Sequence, residues 1–174
     1  MYRFQLCLCA FVPGATRSLE SRMSDWISVV ADWMSSNRLQ LNATKTEILW
    51  CTSSRRQHQL PVTQLTVGNH QVTPVTSVRN LGIYMDSDLS MRTHVIRTAA
   101  GCFAVLRRIR SIRRSVTQPV LQSLVVALVL SRLDYGSTVL FGLPQQLVDK
   151  LQSVQNAAAR LVLAARPTLT ITFN

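Results

Sequence analysis

The basic residues are unevenly spread, and five arginines fall within eight consecutive positions. They are Arg107, Arg108, Arg110, Arg113 and Arg114. A guanidinium group pairs bidentately with phosphate and keeps its charge at any ordinary pH. Five like charges this close repel one another, and two cations would suffice to complement a helix C-terminal dipole. We therefore predict an anionic partner, the alternative being a solvated helix end. Aromatic residues are scarce nearby, which favours contact with the phosphate backbone over base stacking.

Groups that could catalyse a reaction or hold a metal are few. Of the eight acidic residues, only Asp86 and Asp88 are spaced as a possible metal pair, and the usual role of Asp and Ser in turns and N-caps explains them more simply. The four cysteines and three histidines match no zinc site and no redox motif. We predict no metal site, no small-molecule ligand, and reduced, mostly buried thiols.

The composition is that of a basic, folded protein. Of its 174 residues, 47% are apolar and 16% are charged, and the net charge is +11. The apolar content excludes a disordered tail, and the charge suits nucleic acid, although an anionic membrane surface or an acidic protein would also fit. Outside the N-terminus the longest apolar run, residues 124–130, is too short to span a bilayer. We expect an intracellular protein of the nucleus or cytoplasm without membrane association.

The N-terminal stretch MYRFQLCLCAFVPGA faintly resembles a secretory signal. Gln5 interrupts its apolar run, and the remainder is at the lower limit for the apolar core of a signal peptide. We therefore predict a buried strand here. The alternative, a secreted basic helical protein, depends on this segment alone.

The first half of the chain predicts an α+β arrangement. One helix carries an apolar stripe formed by Leu19, Met23, Trp26, Ile27, Val30, Trp33 and Met34. A strand over 46–51 is apolar on both faces, which is typical of a central strand. Gly68-Asn69 between two alternating runs predicts a β-hairpin. The next strand, over 81–85, contains Gly82, which indicates that something approaches the backbone closely.

The second half predicts only helices. The first, over 91–112, has a buried stripe formed by Ile96, Ala99, Ala100, Phe103, Leu106 and Ile109. If that helix continued two residues further, positions 107, 110 and 114 would share one face. A second helix begins at 117–119 and ends at Gly136, and a third begins at Pro144. Its inward residues are Leu147, Val148, Leu151, Val154, Ala158, Leu161 and Val162.

Four blocks of the sequence, in order, carry a family resemblance. In WMSSNRLQLNATKTEILW the matching residues are Trp33, Asn37, Leu39, Leu41, Asn42, Lys45, Thr46 and Glu47. The others are SVRNLGIYMDSDLSMRTHV, SRLDYGSTVLFGLP and LQSVQNAAARLV. Over residues 11–166 or so, the chain resembles the reverse transcriptases (RNA-directed DNA polymerases) of non-LTR, LINE-type retrotransposons.

This resemblance implies a fold and a role for each block. Residues 1–89 would be part of a polymerase palm with a helix, short antiparallel strands and a hairpin, residues 90–166 a helical thumb, and 167–174 a truncated tail. Lys45, one of only two lysines, would lie in motif D near the incoming triphosphate, where an ammonium can stabilise charge or donate a proton. The alternative is a simple turn residue. The strand at Leu81-Gly82 would be the primer grip, and the five arginines would follow an RNA or RNA–DNA duplex. Asn42 and Arg79 complete the implied nucleic-acid contacts.

The chain also departs from the family where the chemistry takes place. When Gln5 and Leu6 are aligned with the family's Gln-Leu, Tyr2 and Arg3 occupy the positions of the two aspartates that hold Mg²⁺. We therefore expect a fragment that is catalytically inactive alone and binds no cofactor, with Mg²⁺ required only by the complete enzyme. The alternative is a domesticated basic module that binds nucleic acid or protein without enzymatic activity.

Overall fold

The computed structural model describes residues 5–8, 16–39, 41–42, 45–60, 62–67 and 70–163, with the backbone alone for 5–8 and 16–20. The chain divides into two compact units, Met1–Ser90 and Met91–Asn174. The first combines helices with small sheets and the second is helical in its described part, so the fold is a mixture of the α+β kind.

The first unit begins with a strand–helix–strand motif. Strand β1 (Gln5–Leu8) leads into helix α1 (Thr16–Ser36), and strand β2 (Glu47–Trp50) pairs with β1 in parallel. The resemblance predicts antiparallel strands in this unit, and for this pair the prediction is wrong. A helical crossover returns the chain in the same direction, so the two strands run parallel.

Strand β2 is central, as its apolar pattern predicts. Besides pairing with β1, its Leu49 forms a parallel bridge with Val75, whose amide donates to the Ile48 carbonyl over 2.8 Å. Its two faces pack into two separate clusters of the first unit. Ile48 and Trp50 join Met23, Ile27, Leu65, Val67 and Val72, whereas Leu49 and Cys51 join Val78.

Two antiparallel hairpins complete the first unit, after a short 3₁₀ helix over Ser54–Gln59. Strands β3 (Leu65–Val67) and β4 (His70–Val72) confirm the predicted hairpin, although its turn residues, Gly68 and Asn69, lie outside the described residues. Strands β5 (Ser77–Asn80) and β6 (Ile83–Asp86) form the second.

The turn of the second hairpin corrects the predicted strand over 81–85. Leu81 and Gly82 are its two central residues, with φ of 47° and 90°, and Asn80 lies opposite Ile83. Positive φ at both positions is what a two-residue type I′ turn requires, and glycine adopts it without steric cost. Gly82 therefore lies in a turn, and the turn explains the glycine without a close neighbour.

Helix α1 buries a narrower stripe than its sequence predicts. Met23, Ile27 and Met34 are buried, but Trp26 and Trp33 are 66% and 61% exposed. The side chain of Leu19 lies outside the description. The apolar residues of this helix extend around more of its circumference than one packed sheet can cover, so the tryptophans face solvent.

The second unit is built from helices. They are α2 (Arg92–Ile112), α3 (Gln118–Val125), α4 (Ser131–Asp134) and α5 (Gln145–Leu163), with a π-helical segment, Val126–Leu130, joining α3 to α4 and a 3₁₀ turn, Ser137–Leu140, before α5. Thr117 occupies the N-cap position of the second predicted helix without a side-chain capping hydrogen bond, and Pro119 lies in the first turn, as predicted. Gly136, with φ of 77°, follows its end. No helix in the described residues is both long and apolar enough to cross a membrane.

Ten buried residues from α2, α3, the π-helical segment and α5 form the core of the second unit. They are Ala99, Cys102, Leu106, Ile109, Leu121, Val125, Val129, Val154, Ala158 and Leu161. The predicted stripe of α2 is wrong at three positions, because Ile96, Ala100 and Phe103 are exposed and Cys102 is buried beside them. On α5, Val148 is 40% exposed, whereas the other predicted inward residues are buried or half-buried.

Candidate nucleic-acid interface

A groove between α2 and α5 gathers most of the predicted arginine cluster around one space of about 780 Å³. We call it the arginine groove. Its lining residues are Ala100, Phe103, Leu106, Arg107, Arg110, Arg113, Ala157, Arg160 and Leu161. Four of these nine carry a guanidinium group, and none of the described lining residues is Asp or Glu. The groove therefore offers concentrated positive charge to an anion.

The packing of the two helices explains why this groove exists. Leu106 of α2 and Leu161 of α5 are both buried in the core of the second unit and bring the helices together. Ala100 and Ala157 have small side chains, so space remains beside the contact. Arg107 and Arg110 follow on the same side of α2, three residues apart, and both line that space.

The end of α2 changes the predicted grouping of the arginines. The helix ends at Ile112, so Arg114 does not share a helical face with Arg107 and Arg110. Arg114 lines a smaller space of about 340 Å³ instead, together with Arg110, Ser111 and Arg113.

Arg108 takes no part in either of these two spaces. It is exposed on α2, where its carbonyl accepts a hydrogen bond from the Ser111 hydroxyl over 2.8 Å. Three of the five predicted arginines therefore line the arginine groove, a fourth lies next to it, and the fifth points elsewhere.

Two groove residues were not predicted from the sequence as contacts. Arg160 lies alone in the last turn of α5, and only the packing of α5 against α2 brings it to the other arginines. Phe103 was expected in the core, yet it is 36% exposed and lines the groove. The spacing of Phe103 to Arg107, one helical turn, was the available signal for a shared face.

Lys45 and Asn42 lie together in the turn that precedes β2. The Asn42 carbonyl accepts hydrogen bonds from the Lys45 amide and from the Thr46 hydroxyl, each over 3.0 Å. The Lys45 side chain is exposed, and Thr46 is buried. This geometry accounts for the turn that the sequence predicts, and the chemical role of the ammonium stays a prediction.

Arg79, Leu81 and Gly82 belong to the second hairpin. Arg79 lies opposite Tyr84 in the β5–β6 register, and its guanidinium carbon is 5.6 Å from the centre of the Tyr84 ring. That distance is typical of a cation–π contact. Leu81, at the tip, is 82% exposed. The hairpin therefore presents one cation and one large apolar side chain near its turn.

The Asp86-Ser-Asp88 segment is a hydrogen-bonded turn, as the simpler interpretation predicts. The Leu89 amide donates to the Asp86 carbonyl over 2.9 Å, and the Ser90 amide donates to Asp88 Oδ1 over 3.0 Å. Burial raises the pKa of Asp88, but hydrogen bonds from Ser90 and Ser54 outweigh it, so this pKa lies below its usual value. Within the described part of the chain, no three His, Cys, Asp or Glu side chains form a group that could hold a metal ion. Tyr2 and Arg3, aligned with the family's aspartates, lie outside it.

Cys102 is a buried thiol in the core of the second unit. Its Sγ lies 3.9 Å from the Val129 carbonyl oxygen, in the π-helical segment, and is oriented to donate to it. Burial raises the pKa of the Cys102 thiol, and the positive charge of Arg132 opposes that rise only in part. Cys102 and Cys51 are both buried thiols, as predicted for these two cysteines.

Neither a protein-family model, nor a curated protein, nor a solved structure matches this chain. The reverse transcriptase resemblance therefore stays a prediction carried by the sequence blocks themselves.

Proposed function

We propose that this chain binds nucleic acid through its phosphate backbone at the arginine groove, as the thumb-like part of a reverse transcriptase fragment that does not polymerise by itself. One observation carries the proposal. Arg107, Arg110, Arg113 and Arg160, from two different helices, surround one open space with no acidic side chain among the described lining residues. Such a site binds repeated phosphates, because each guanidinium can release one condensed counterion.

The charge of the whole chain supports this choice of ligand. A net charge of +11 on 174 residues produces a positive field that draws a polyanion from a distance. At contact, guanidinium groups form charge-assisted, bidentate hydrogen bonds with phosphate oxygens. Long-range attraction and short-range geometry therefore both favour a chain of phosphates, and the sequence resemblance adds the expectation of an RNA or RNA–DNA duplex.

The proposed lack of polymerase activity rests on the residues aligned with the metal site. Neither Tyr2 nor Arg3 can replace a carboxylate on a divalent metal, so the two-metal chemistry of phosphoryl transfer is not available to this chain. Lys45 would then be a remnant of motif D. The purified chain should incorporate no nucleotide with Mg²⁺ or Mn²⁺, and incorporation would contradict this part of the proposal.

Binding is tested with a fluorescein-labelled, blunt RNA–DNA hybrid, followed by fluorescence anisotropy. The double variant R107Q/R110Q removes two charges from the groove and should weaken binding about tenfold or more. The matched control, R55Q/R56Q, removes two exposed arginines from the 3₁₀ helix Ser54–Gln59 in the first unit and should change affinity little. Equal losses in both variants would show that net charge, not the groove, governs binding.

A second candidate function shares the groove. All of its lining residues belong to the second unit, so binding there needs no palm, and a domesticated nucleic-acid-binding module would use the same surface. A preference for the RNA–DNA hybrid over a DNA duplex of the same length favours the reverse transcriptase fragment. Equal affinity for both favours the module.

A further inference from the structure

We propose that the arginine groove also takes unpaired nucleotides of single-stranded RNA or DNA, with one base stacked on the Phe103 ring and the neighbouring phosphates held by the arginines around it. This inference rests on the proposed binding of nucleic acid at the same groove. It adds the chemical class that the groove recognises, which is the base itself and not the backbone alone.

The apolar residues that line the groove are the first reason to expect a base there. A site for phosphates alone needs only cations, yet five of the nine lining residues are apolar. Among the large ones, Leu106 and Leu161 are 6% and 8% exposed, whereas Phe103 is 36% exposed. Phe103 is therefore the most exposed of the large apolar side chains that line the groove. Base stacking on an aromatic ring is how proteins hold single strands without sequence preference.

The order of residues along α2 is the second reason. Ala100, Phe103, Arg107 and Arg110 follow one another at spacings of three and four, so they form one row on the helix surface. Ala100 leaves room beside the ring. Arg107 lies four residues beyond it, about 6 Å along the axis. A strand that lies along this row would place a base on Phe103 and its phosphate next to a guanidinium.

The space available is also sufficient. A volume of about 780 Å³ lies within the range of sites that enclose small organic ligands, roughly 300–1,000 Å³. Arg113 and Arg160 line the same space, so a nucleotide on Phe103 can have cations nearby from both helices. All the described charged side chains that line the groove are positive, so they can pair with the phosphate that each nucleotide carries.

An acidic amphipathic peptide helix is the competing occupant. Such a helix binds by a row of large apolar anchors, each in its own pocket, at spacings of three and four residues. The groove offers one large accessible apolar side chain, because its leucines are buried and its other apolar residues are alanines. One ring suits one base better than it suits a row of anchors.

The experiment compares three fluorescein-labelled probes with the full chain: a thymidine strand of about twelve nucleotides, an abasic strand of the same length, and the blunt RNA–DNA hybrid. The two single strands carry the same phosphates and differ only in their bases. The variant Phe103→Leu keeps an apolar side chain but removes the ring, and Phe103→Tyr keeps the ring. Phe103 lies outside the buried core cluster, so both variants should fold.

The wild-type chain should bind the thymidine strand about fivefold or more tightly than the abasic strand. Phe103→Leu should abolish that preference, Phe103→Tyr should preserve it, and neither should change the affinity for the hybrid. Equal affinity of the wild type for both single strands, together with hybrid binding that depends on Arg107 and Arg110, would overturn this inference and leave the proposed function standing. Absence of binding to every probe would overturn both.

A peptide control identifies the competing occupant. If an acidic amphipathic helical peptide binds the wild type, loses affinity with Phe103→Leu, and no probe shows a preference for bases, the groove is a protein-docking site and the inference is wrong. If the peptide does not bind the wild type, while the thymidine strand binds with a preference for bases that Phe103→Leu abolishes, the result supports a nucleotide in the groove.

Discussion

The turn of the β5–β6 hairpin should be improved by replacing Leu81 with Asn. Leu81 has φ of 47°, in the left-handed region that leucine avoids at a cost of about 1–2 kcal/mol. Asn followed by Gly is the preferred pair for a type I′ turn, and Gly82 is already in place. The substitution therefore relieves backbone strain without changing the register of the hairpin.

The substitution also removes the stabilisation from the partial burial of the Leu81 side chain, and this loss is smaller than the strain that is relieved. Leu81 is 82% exposed, so roughly a fifth of the energy of burying a leucine is lost, which is about 0.3–0.6 kcal/mol. Leu81→Asn should therefore raise the free energy of unfolding of the first unit by about 0.5–1.5 kcal/mol. The matched control is Val62→Asn, which introduces the same side chain at another exposed apolar position. Val62 is 87% exposed, so its change should lie within about 0.5 kcal/mol of zero.

Urea unfolding followed by tryptophan fluorescence measures the change in stability of the first unit, to which Leu81 belongs. All three tryptophans, Trp26, Trp33 and Trp50, lie in the first unit, so their emission reports its unfolding and not that of the helices that follow. A higher midpoint at an unchanged slope is the expected result. If Leu81→Asn lowers the midpoint while Val62→Asn leaves it unchanged, the turn assignment at Leu81-Gly82 is wrong.

Three further variants test the core and the two shifted pKa values. Leu121→Ala should lower the stability of the second unit by about 2–5 kcal/mol, because Leu121 is only 1% exposed in the core. The control Val120→Ala, at the exposed neighbouring position, should have little effect. Far-ultraviolet circular dichroism during urea unfolding measures both variants. Because the pKa of Cys102 is raised, the stability that its thiol contributes is complete below about pH 8.5 and is lost as the pH rises through the folded pKa. Thermal melts of Cys102→Ala should lack this alkaline loss of stability, and an identical pH dependence in variant and wild type would contradict the raised pKa. Because the pKa of Asp88 is lowered, the stability that its carboxylate contributes is present above about pH 3.9 and is lost as the pH falls through the folded pKa. In tryptophan-monitored unfolding, Asp88→Asn should therefore lose less stability than the wild type as the pH falls through this range. An equal loss in both proteins would contradict the hydrogen bonds from Ser90 and Ser54.

The elements that the sequence predicts well are those with one dominant local signal. Thr117 and Pro119 mark a helix start by residue type, because Thr is common at the N-cap position and Pro has a fixed φ that suits the first turn, and α3 begins between them at Gln118. The apolar run around Ile48 and Leu49 predicts a central strand, because only a strand with neighbours on both edges and both faces can bury it.

The elements that the sequence predicts badly depend on a choice that local pattern does not contain. The turn at Leu81 was predicted as a strand, because leucine rarely adopts a positive φ and the apolar run around it is typical of a strand. Trp26 and Trp33 share the period of the buried residues of α1, and only the position of the neighbouring sheet decides which of them is covered. The π-helical segment Val126–Leu130 lies in an uninterrupted apolar run that carries no signal for a change of helical pitch.

The candidate site divides in the same way. The arginine cluster at the end of α2 is visible as composition, so Arg107 and Arg110 could be predicted. Arg160 could not, because its part in the groove follows from how α5 packs on α2, a contact between residues about fifty positions apart in sequence. Phe103 was assigned to the core, although its spacing to Arg107 on α2 indicated a shared face.

The salt dependence of binding to the blunt RNA–DNA hybrid tests the arginine groove most directly. If the four guanidiniums each neutralise a phosphate, they contribute about −3.6 to the slope of log K against log salt, and R107Q/R110Q should lose about half of that, or 1.8. Between 50 and 200 mM salt, the groove contacts should then lower the affinity of the wild type about 150-fold and that of R107Q/R110Q only about 12-fold. The control R55Q/R56Q should keep the wild-type slope. A slope that is unchanged in R107Q/R110Q, or reduced equally in both variants, would contradict phosphate binding at the groove.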